Sequence, residues 1–219
     1  MSRTRHSDLA GYYGVRGAEH DRIYDRPDRQ QDLLRLREIL STLLAGRHVL
    51  ELACGTGYWT QYVAQVARSI LGLDVHQHLL DIAASRLRSF SNCAFLVDDA
   101  LTLTNVAAPS PFDASLAAFW WSHVPRESLA GFLKSLHDKL RPGALVVFAD
   151  NRNADGHPFA RTDEQGNTYE HHILSDGSEH EILTNFPTAA ELREILEPQS
   201  RHLMIHELQH YWCASYQIT

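Results

Sequence analysis

Residues 48–60 read HVLELACGTGYWT. Val49, Leu50 and Leu52 form a short apolar run of the kind carried by a strand buried on both faces. The run breaks at Gly55 and Gly57, one residue apart, where the backbone can turn sharply. Helical spacing resumes through Tyr62, Val63, Val66 and Ala67, so the stretch reads as strand, glycine turn, helix. A turn at the carboxyl end of a strand lets main chain approach a ligand that a β-carbon would hold off. A bare G-x-G is weak by itself, and its surroundings narrow it. A dinucleotide fingerprint places a third glycine three positions after the second, and that position here is Thr60. Glu51 would repel a pyrophosphate just beyond the strand and suits a ligand carrying an ammonium group. A nicotinamide oxidoreductase is disfavoured on both counts.

The pattern repeats outward from this turn. Before it, residues 28–45 carry Leu33, Leu36, Ile39, Leu40, Leu43 and Leu44 at helical spacing. After it come strand-like runs at 70–74, 94–97, 114–119 and 144–149, with helical segments around Leu79 to Leu87 and at 129–140. Arg141, Pro142 and Gly143 stop the last helix. Strand and helix alternating this way predict an α/β fold with a parallel sheet. Residues 151–183 break the alternation and predict an inserted hairpin from Tyr169 to Leu183, turning around 175–178. Thr188 then caps a helix, and the tail offers two strands around Gln209 and His210.

Two further acids follow strands. Asp74 lies about 20 residues past the turn, where a carboxylate can accept ribose hydroxyls, and Asp99 follows the third strand, where it can accept an adenine amine. Ala100 leaves room for the ring. Each acid alone can be a solvated loop residue or a helix cap. Together with Glu51 they outline a nucleoside with a cationic tail and no phosphates.

This series resembles the class I S-adenosylmethionine-dependent methyltransferases. VLELACGTGYWT (49–60) is similar to their first motif, LGLDVHQHLLDIA (71–83) to the second and VDDA (97–100) to the third. FDASLAAFWWSHVP (112–125) is similar to the fourth, and LRPGALVVFAD (140–150) to the segment leading into strand five. DLAGYYGVRGAEHDRIYD (8–25) looks like the tyrosine-bearing helix that covers the cofactor there. Ala53 departs from the family's usual glycine, a change that ordinary dihedrals would tolerate. The resemblance implies a Rossmann-like, seven-stranded, mostly parallel sheet with helices on both faces, an N-terminal helical cover (1–45), a cofactor-binding core (46–150), the inserted β-hairpin or lid (151–183) and a C-terminal helix and strands (184–219), all in a single domain. It implies S-adenosylmethionine as cofactor. Glu51, Ala53, Gly55 and Gly57 would wrap its methionine part. Asp74 would hold the ribose, with Val75 and His76 beside the adenine held by Asp99 and Ala100. Ala118 and Phe119 would line the path to the sulfonium, and Tyr13 and Tyr24 would close over the methyl end.

Methyl transfer needs a nucleophile held in line with water excluded, plus a base if the acceptor must lose a proton. His123, just past strand four, is the candidate base; its alternative role is a structural histidine closing the turn before Pro125. Trp120 and Trp121 read either as an aromatic wall for the acceptor or as core. The insertion offers His157, Tyr169 and His171 to an acceptor, and of the neighbours His171 and His172 only one can face a pocket. The histidines lack metal-ligand spacing, so no metal is expected. Cys54, Cys93 and Cys213 are scattered and odd in number, which fits a reduced cytoplasm and small inert side chains.

A net charge of −7 argues against a nucleic-acid partner, although the first 40 residues are rich in arginine. No apolar run reaches the roughly 20 residues of a membrane helix. The expected partner is a small-molecule methyl acceptor, reacting through nitrogen or oxygen, with the chain a monomer or homodimer. The alternatives are methylation of RNA or protein, which would want a basic surface or an added domain, and non-catalytic binding of the cofactor.

Overall fold

The structure is a computed structural model that describes residues 21–219 except 22, 108–111, 155, 157, 174–176 and 178. Helix α1 (Gln30–Leu44) leads into β1 (His48–Leu52), α2 (Thr60–Val63), β2 (Ser69–Asp74), α3 (Gln77–Arg86) and β3 (Cys93–Val97). Then come β4 (Ala114–Ala118), α4 (Leu129–His137) and β5 (Leu145–Asn151). Three short strands follow, β6 (Arg161–Thr162), β7 (Thr168–Ile173) and β8 (Glu179–Leu183), then α5 (Ala189–Leu196), β9 (Ser200–Glu207) and β10 (Tyr211–Ile218). The main sheet has seven strands in the order β3-β2-β1-β4-β5-β10-β9. The first five are parallel, and β10 runs antiparallel to both β5 and β9. This is the α/β architecture with a parallel sheet that the alternation predicts, in the seven-stranded Rossmann-like form that the resemblance implies.

The alternation of side chains along each strand divides the interior into two layers. Val49, Leu116, Val147, Tyr211 and Cys213 point to one face and pack on Leu33, Leu36, Leu40 and Leu44 of α1 and Val63 of α2. Leu50, Leu52, Ala117, Phe148, Trp212 and Tyr216 point to the other and meet Phe132 and Leu136 of α4 and Leu192 and Leu196 of α5. Helices therefore cover both faces. Leu33, Leu36, Leu40 and Leu44 are wholly buried, which is why their spacing reads clearly from sequence. Thr188 caps α5 in a full capping box: its hydroxyl accepts from the Glu191 backbone while Glu191 reaches back to the Thr188 N–H.

The insertion is an antiparallel three-stranded sheet, β6-β7-β8, with β7 and β8 forming the expected hairpin. Of its turn, residues 175–178, only Gly177 is described. Side-chain amides fasten this sheet to the end of the main one. Asn167, 1% exposed, accepts the Arg126 N–H (2.8 Å) and donates to Glu127 (3.0 Å), and Asn185 donates to both Asn167 and the Val124 carbonyl (3.1 Å each). Among the described residues no helix is long and apolar enough to cross a membrane. Of the expected N-terminal cover (1–45), residues 1–20, with Tyr13, and residue 22 lie outside the described residues.

Candidate active site

Parallel strands deliver their carboxyl ends to one edge, and a cavity opens there beyond β1, β2, β3 and β4. Tyr24, Ala53, Gly55, Asp74, Val75, His76, Asp99, Ala100, Ala118, Phe119, Trp120 and His123 all line it. The spacing of the sequence thus converges in space. The carboxylates also brace the loops they sit on. Asp74 accepts the Gly55 N–H on one oxygen (3.0 Å) and the His76 N–H on the other (2.9 Å). Asp99 accepts from Leu101 N–H (2.8 Å).

Two expected cofactor residues do not line this cavity. Glu51 points to the layer beneath α2, the face of Val49, and is 1% exposed. Burial raises its pKa from 4.5 to about 8, so it is protonated at neutral pH. Thr60 faces it and offsets part of that rise, but the two do not reach hydrogen-bond geometry, and Glu51 Oε2 and Thr60 Oγ1 are both unpartnered. Gly57 also turns away from the cavity. A β-carbon there would lie 3.0 Å from Ala83 Cβ and 2.8 Å from Leu87 Cδ1, so this glycine admits α3 and the residue after it against the turn. Gly55 behaves as expected of a ligand turn: it lines the cavity with φ +54°, and a β-carbon on it would meet nothing within 4 Å.

Ala53 corrects a further expectation. Its φ is +49°, in the left-handed region rather than at ordinary dihedrals. Phe119, with φ +60°, is strained in the same sense. Both stand in the cavity wall, where surrounding structure can hold such conformations. Ala53→Gly is expected to raise stability by about 0.5–1 kcal/mol, relieved strain outweighing the added freedom of the unfolded chain. Urea denaturation checks this, and a fall in stability would refute the strain.

At one end of the cavity, Tyr24 and Phe119, both expected there, are joined by Tyr58 and Trp59, which sequence reading missed. Tyr24 stacks on Tyr58 (centroids 3.9 Å apart), and Trp59 stacks on Phe119 (5.4 Å) and donates its indole N–H to the Tyr24 hydroxyl (3.0 Å). Tyr58 and Trp59 sit inside the quoted GTGYWT, but only the fold shows that they line the cavity. Asp21 also lines the cavity. It accepts from Thr56 Oγ1 (2.7 Å) and pairs with Arg86, tying the N-terminal segment across the glycine turn.

A second cavity opens beside the first, between the N-terminal segment and the insertion, and Tyr24, Phe119 and His123 line both. His123 belongs to a 3₁₀ turn, Trp121–His123, held from two sides. The buried Asp150, raised by burial to about 6, accepts the Ser122 N–H (2.8 Å), and Asn185 N–H donates to the Ser122 carbonyl (2.8 Å). His123 Nδ1 lies 2.7 Å from the Leu183 carbonyl. A carbonyl only accepts, so Nδ1 carries the proton and Nε2 the lone pair. Burial lowers the pKa of His123 to about 4, keeping it neutral near pH 7. Trp120 lies in the cavity wall against Phe132, whereas Trp121 is core, packed on Phe148 and Trp212.

The insertion contributes different residues from those expected. Tyr169 is 5% exposed and lines neither cavity; its hydroxyl donates to Asp163 and its ring lies under Arg161. His171 is exposed beside Glu179, and His157 lies outside the described residues. Strand parity turns Glu170 and His172 into the second cavity instead. Among the described residues no cluster of three potential metal ligands occurs.

Residues 49–143 match the family model described as "Methyltransferase domain". The chain is 33% identical over 109 residues to a demethylmenaquinone methyltransferase of Tropheryma whipplei, covering 48% of this chain and 42% of that protein. It is 27% identical over 165 residues to a ubiquinone biosynthesis O-methyltransferase of Pseudomonas aeruginosa, 73% of this chain and 69% of that one. The chain thus spans about two fifths of the length of the first relative. Among solved structures, the DhpI–SAH complex superposes with a TM-score of 0.80 at 25% identity, covering 100% of this chain and 98% of that one.

Proposed function

We propose that the chain is a class I S-adenosylmethionine-dependent methyltransferase that methylates nitrogen or oxygen of a small molecule seated in the second cavity. The observation that carries this reading is the shared wall: Tyr24, Phe119 and His123 line both the cavity at the strand ends and the one beside the insertion. The residues present suit the cofactor. Gly55 leaves open space where a side chain would stand, Asp74 and Asp99 lie at successive strand ends for ribose and adenine, and the aromatic rings suit a cationic sulfur. When bound, S-adenosylmethionine supplies an electrophilic methyl group.

The protein's part is positioning. With the cofactor bound, Tyr24 and Phe119 would shield the junction of the two cavities from water, and the clamped turn holds His123 in the wall of both. With its Nδ1 proton given to Leu183, His123 can take an acceptor's proton on Nε2. Its low pKa keeps the basic form present at neutral pH and makes it a weak base, which suits an acidic acceptor or one already deprotonated.

Calorimetric titration with S-adenosylmethionine, followed by turnover of labelled cofactor against a metabolite panel, tests the reading. Asp74→Ala is expected to weaken cofactor binding by about 1.5–3 kcal/mol, roughly 10- to 150-fold. Unchanged affinity in a folded variant would remove Asp74 from the site.

A further inference from the structure

Two arginines from the arginine-rich N-terminal part of the sequence, Arg26 and Arg29, line the second cavity, and Arg152 joins them from just beyond β5. Resting on the methyl-transfer reading above, we infer that the acceptor is a small oxyanion, a carboxylate or a phosphate, held by these three guanidinium groups. The described walls of this cavity are richer in cationic than in acidic side chains, the reverse of the chain as a whole. The whole sequence has 27 acidic residues against 20 Lys and Arg, whereas the described walls of this cavity hold three arginines and a single carboxylate, Glu170. Glu170 Oε2 lies 3.5 Å from His172 Nε2, so its charge faces that ring.

The arginines are oriented from outside the cavity. Arg26 bonds Asp28 (2.9 Å), Arg29 lies 3.6 Å from the same carboxylate and over the Tyr211 ring, and Arg152 donates to the Leu208 carbonyl and lies 3.1 Å from Glu207. Neither Asp28 nor Glu207 is in the cavity wall. A guanidinium presents five donors in a rigid fork, so a group braced on one edge can still grip an oxyanion on another. Segments about 120 residues apart in sequence thus bring positive charge to one small cavity.

The test is calorimetry at low salt on protein saturated with S-adenosylhomocysteine, titrated separately with inorganic phosphate and with acetate. At least one anion is expected to bind, and its affinity to fall at least tenfold in both Arg26→Gln and Arg152→Gln and to weaken with added sodium chloride. The arm that binds identifies the anion class. Arg26 is half exposed, so its variant is expected to fold even if the loss of Arg152 loosens the β9–β10 turn. No heat with either anion, or heat unchanged in Arg26→Gln, overturns the inference while leaving methyl transfer standing. Failure of S-adenosylhomocysteine to bind overturns the parent reading instead, and the anion titrations are then read on the protein alone, with the same outcomes.

Discussion

Gly57→Ala is expected to destabilise the protein by about 3 kcal/mol, whereas Gly55→Ala, two residues away, should leave it folded and unable to bind cofactor normally. Both glycines have positive φ, +74° and +54°, so alanine costs roughly 1–2 kcal/mol of backbone strain at either. The positions part company in what surrounds the new methyl group. At Gly57 it would meet Leu87 Cδ1 at 2.8 Å, Ala83 Cβ at 3.0 Å and Ala83 Cα at 3.2 Å. The leucine tip can swing aside, but the Ala83 backbone moves only with α3, and such overpacking adds about 1–3 kcal/mol. At Gly55 the methyl group enters open space that belongs to the cavity, so its effect falls on the ligand. Urea denaturation and S-adenosylhomocysteine titration of the two variants separate these effects. The opposite pattern, with binding lost at 57 and folding lost at 55, would reverse the roles assigned here.

Glu51→Gln is expected to stabilise the protein by up to about 3 kcal/mol at pH 7 and by little at pH 5. The carboxyl group titrates near 4.5 when exposed and near 8 when folded, because burial beneath α2 disfavours its charge. Between those values the unfolded chain has released a proton that the folded chain keeps. Folding stability from this group is therefore complete below about pH 4.5 and declines as pH rises through 8. At 1.36 kcal/mol per pH unit this amounts to about 3 kcal/mol by pH 7, before any relaxation of the site. Glutamine has a similar shape and no proton to lose, so the difference between variant and parent should grow with pH. His123 acts in the opposite sense, its contribution being lost as pH falls from 6.5 through about 4. It is present in both proteins and cancels in the difference. Denaturation curves of the two proteins at pH 5, 6, 7 and 8, without cofactor, make the comparison. A constant difference across that range would mean that Glu51 ionises in the folded state.

The cavity proposed for the cofactor was legible because parallel sheets write themselves plainly. Strands buried on both faces are continuous apolar runs, and the residue that follows such a run lies at the common edge where ligands bind. Asp74, Asp99 and Gly55 could be placed on that edge by counting along the chain, and the structure brings all three to one cavity. The second cavity, proposed for the acceptor, was less legible, because it is made where separate segments meet. On β7, alternation required one of His171 and His172 to face inward, but the choice depends on which face of the small sheet lies against the main one.

The sequence by itself therefore determined the order of strands and helices, the glycine turn and the carboxylates at the strand ends. Each of these depends on residues close in the chain or on a period of 2 or 3.6. Only the tertiary structure decided that Glu51 looks beneath α2 instead of into the cavity, that Gly57 serves the packing of α3, that Ala53 takes a left-handed conformation, and that Arg26, Arg29 and Arg152 line the same cavity. Those outcomes turn on which face of a strand meets which helix and on where distant segments cross. No local period encodes either one, because both are fixed by packing the whole chain at once.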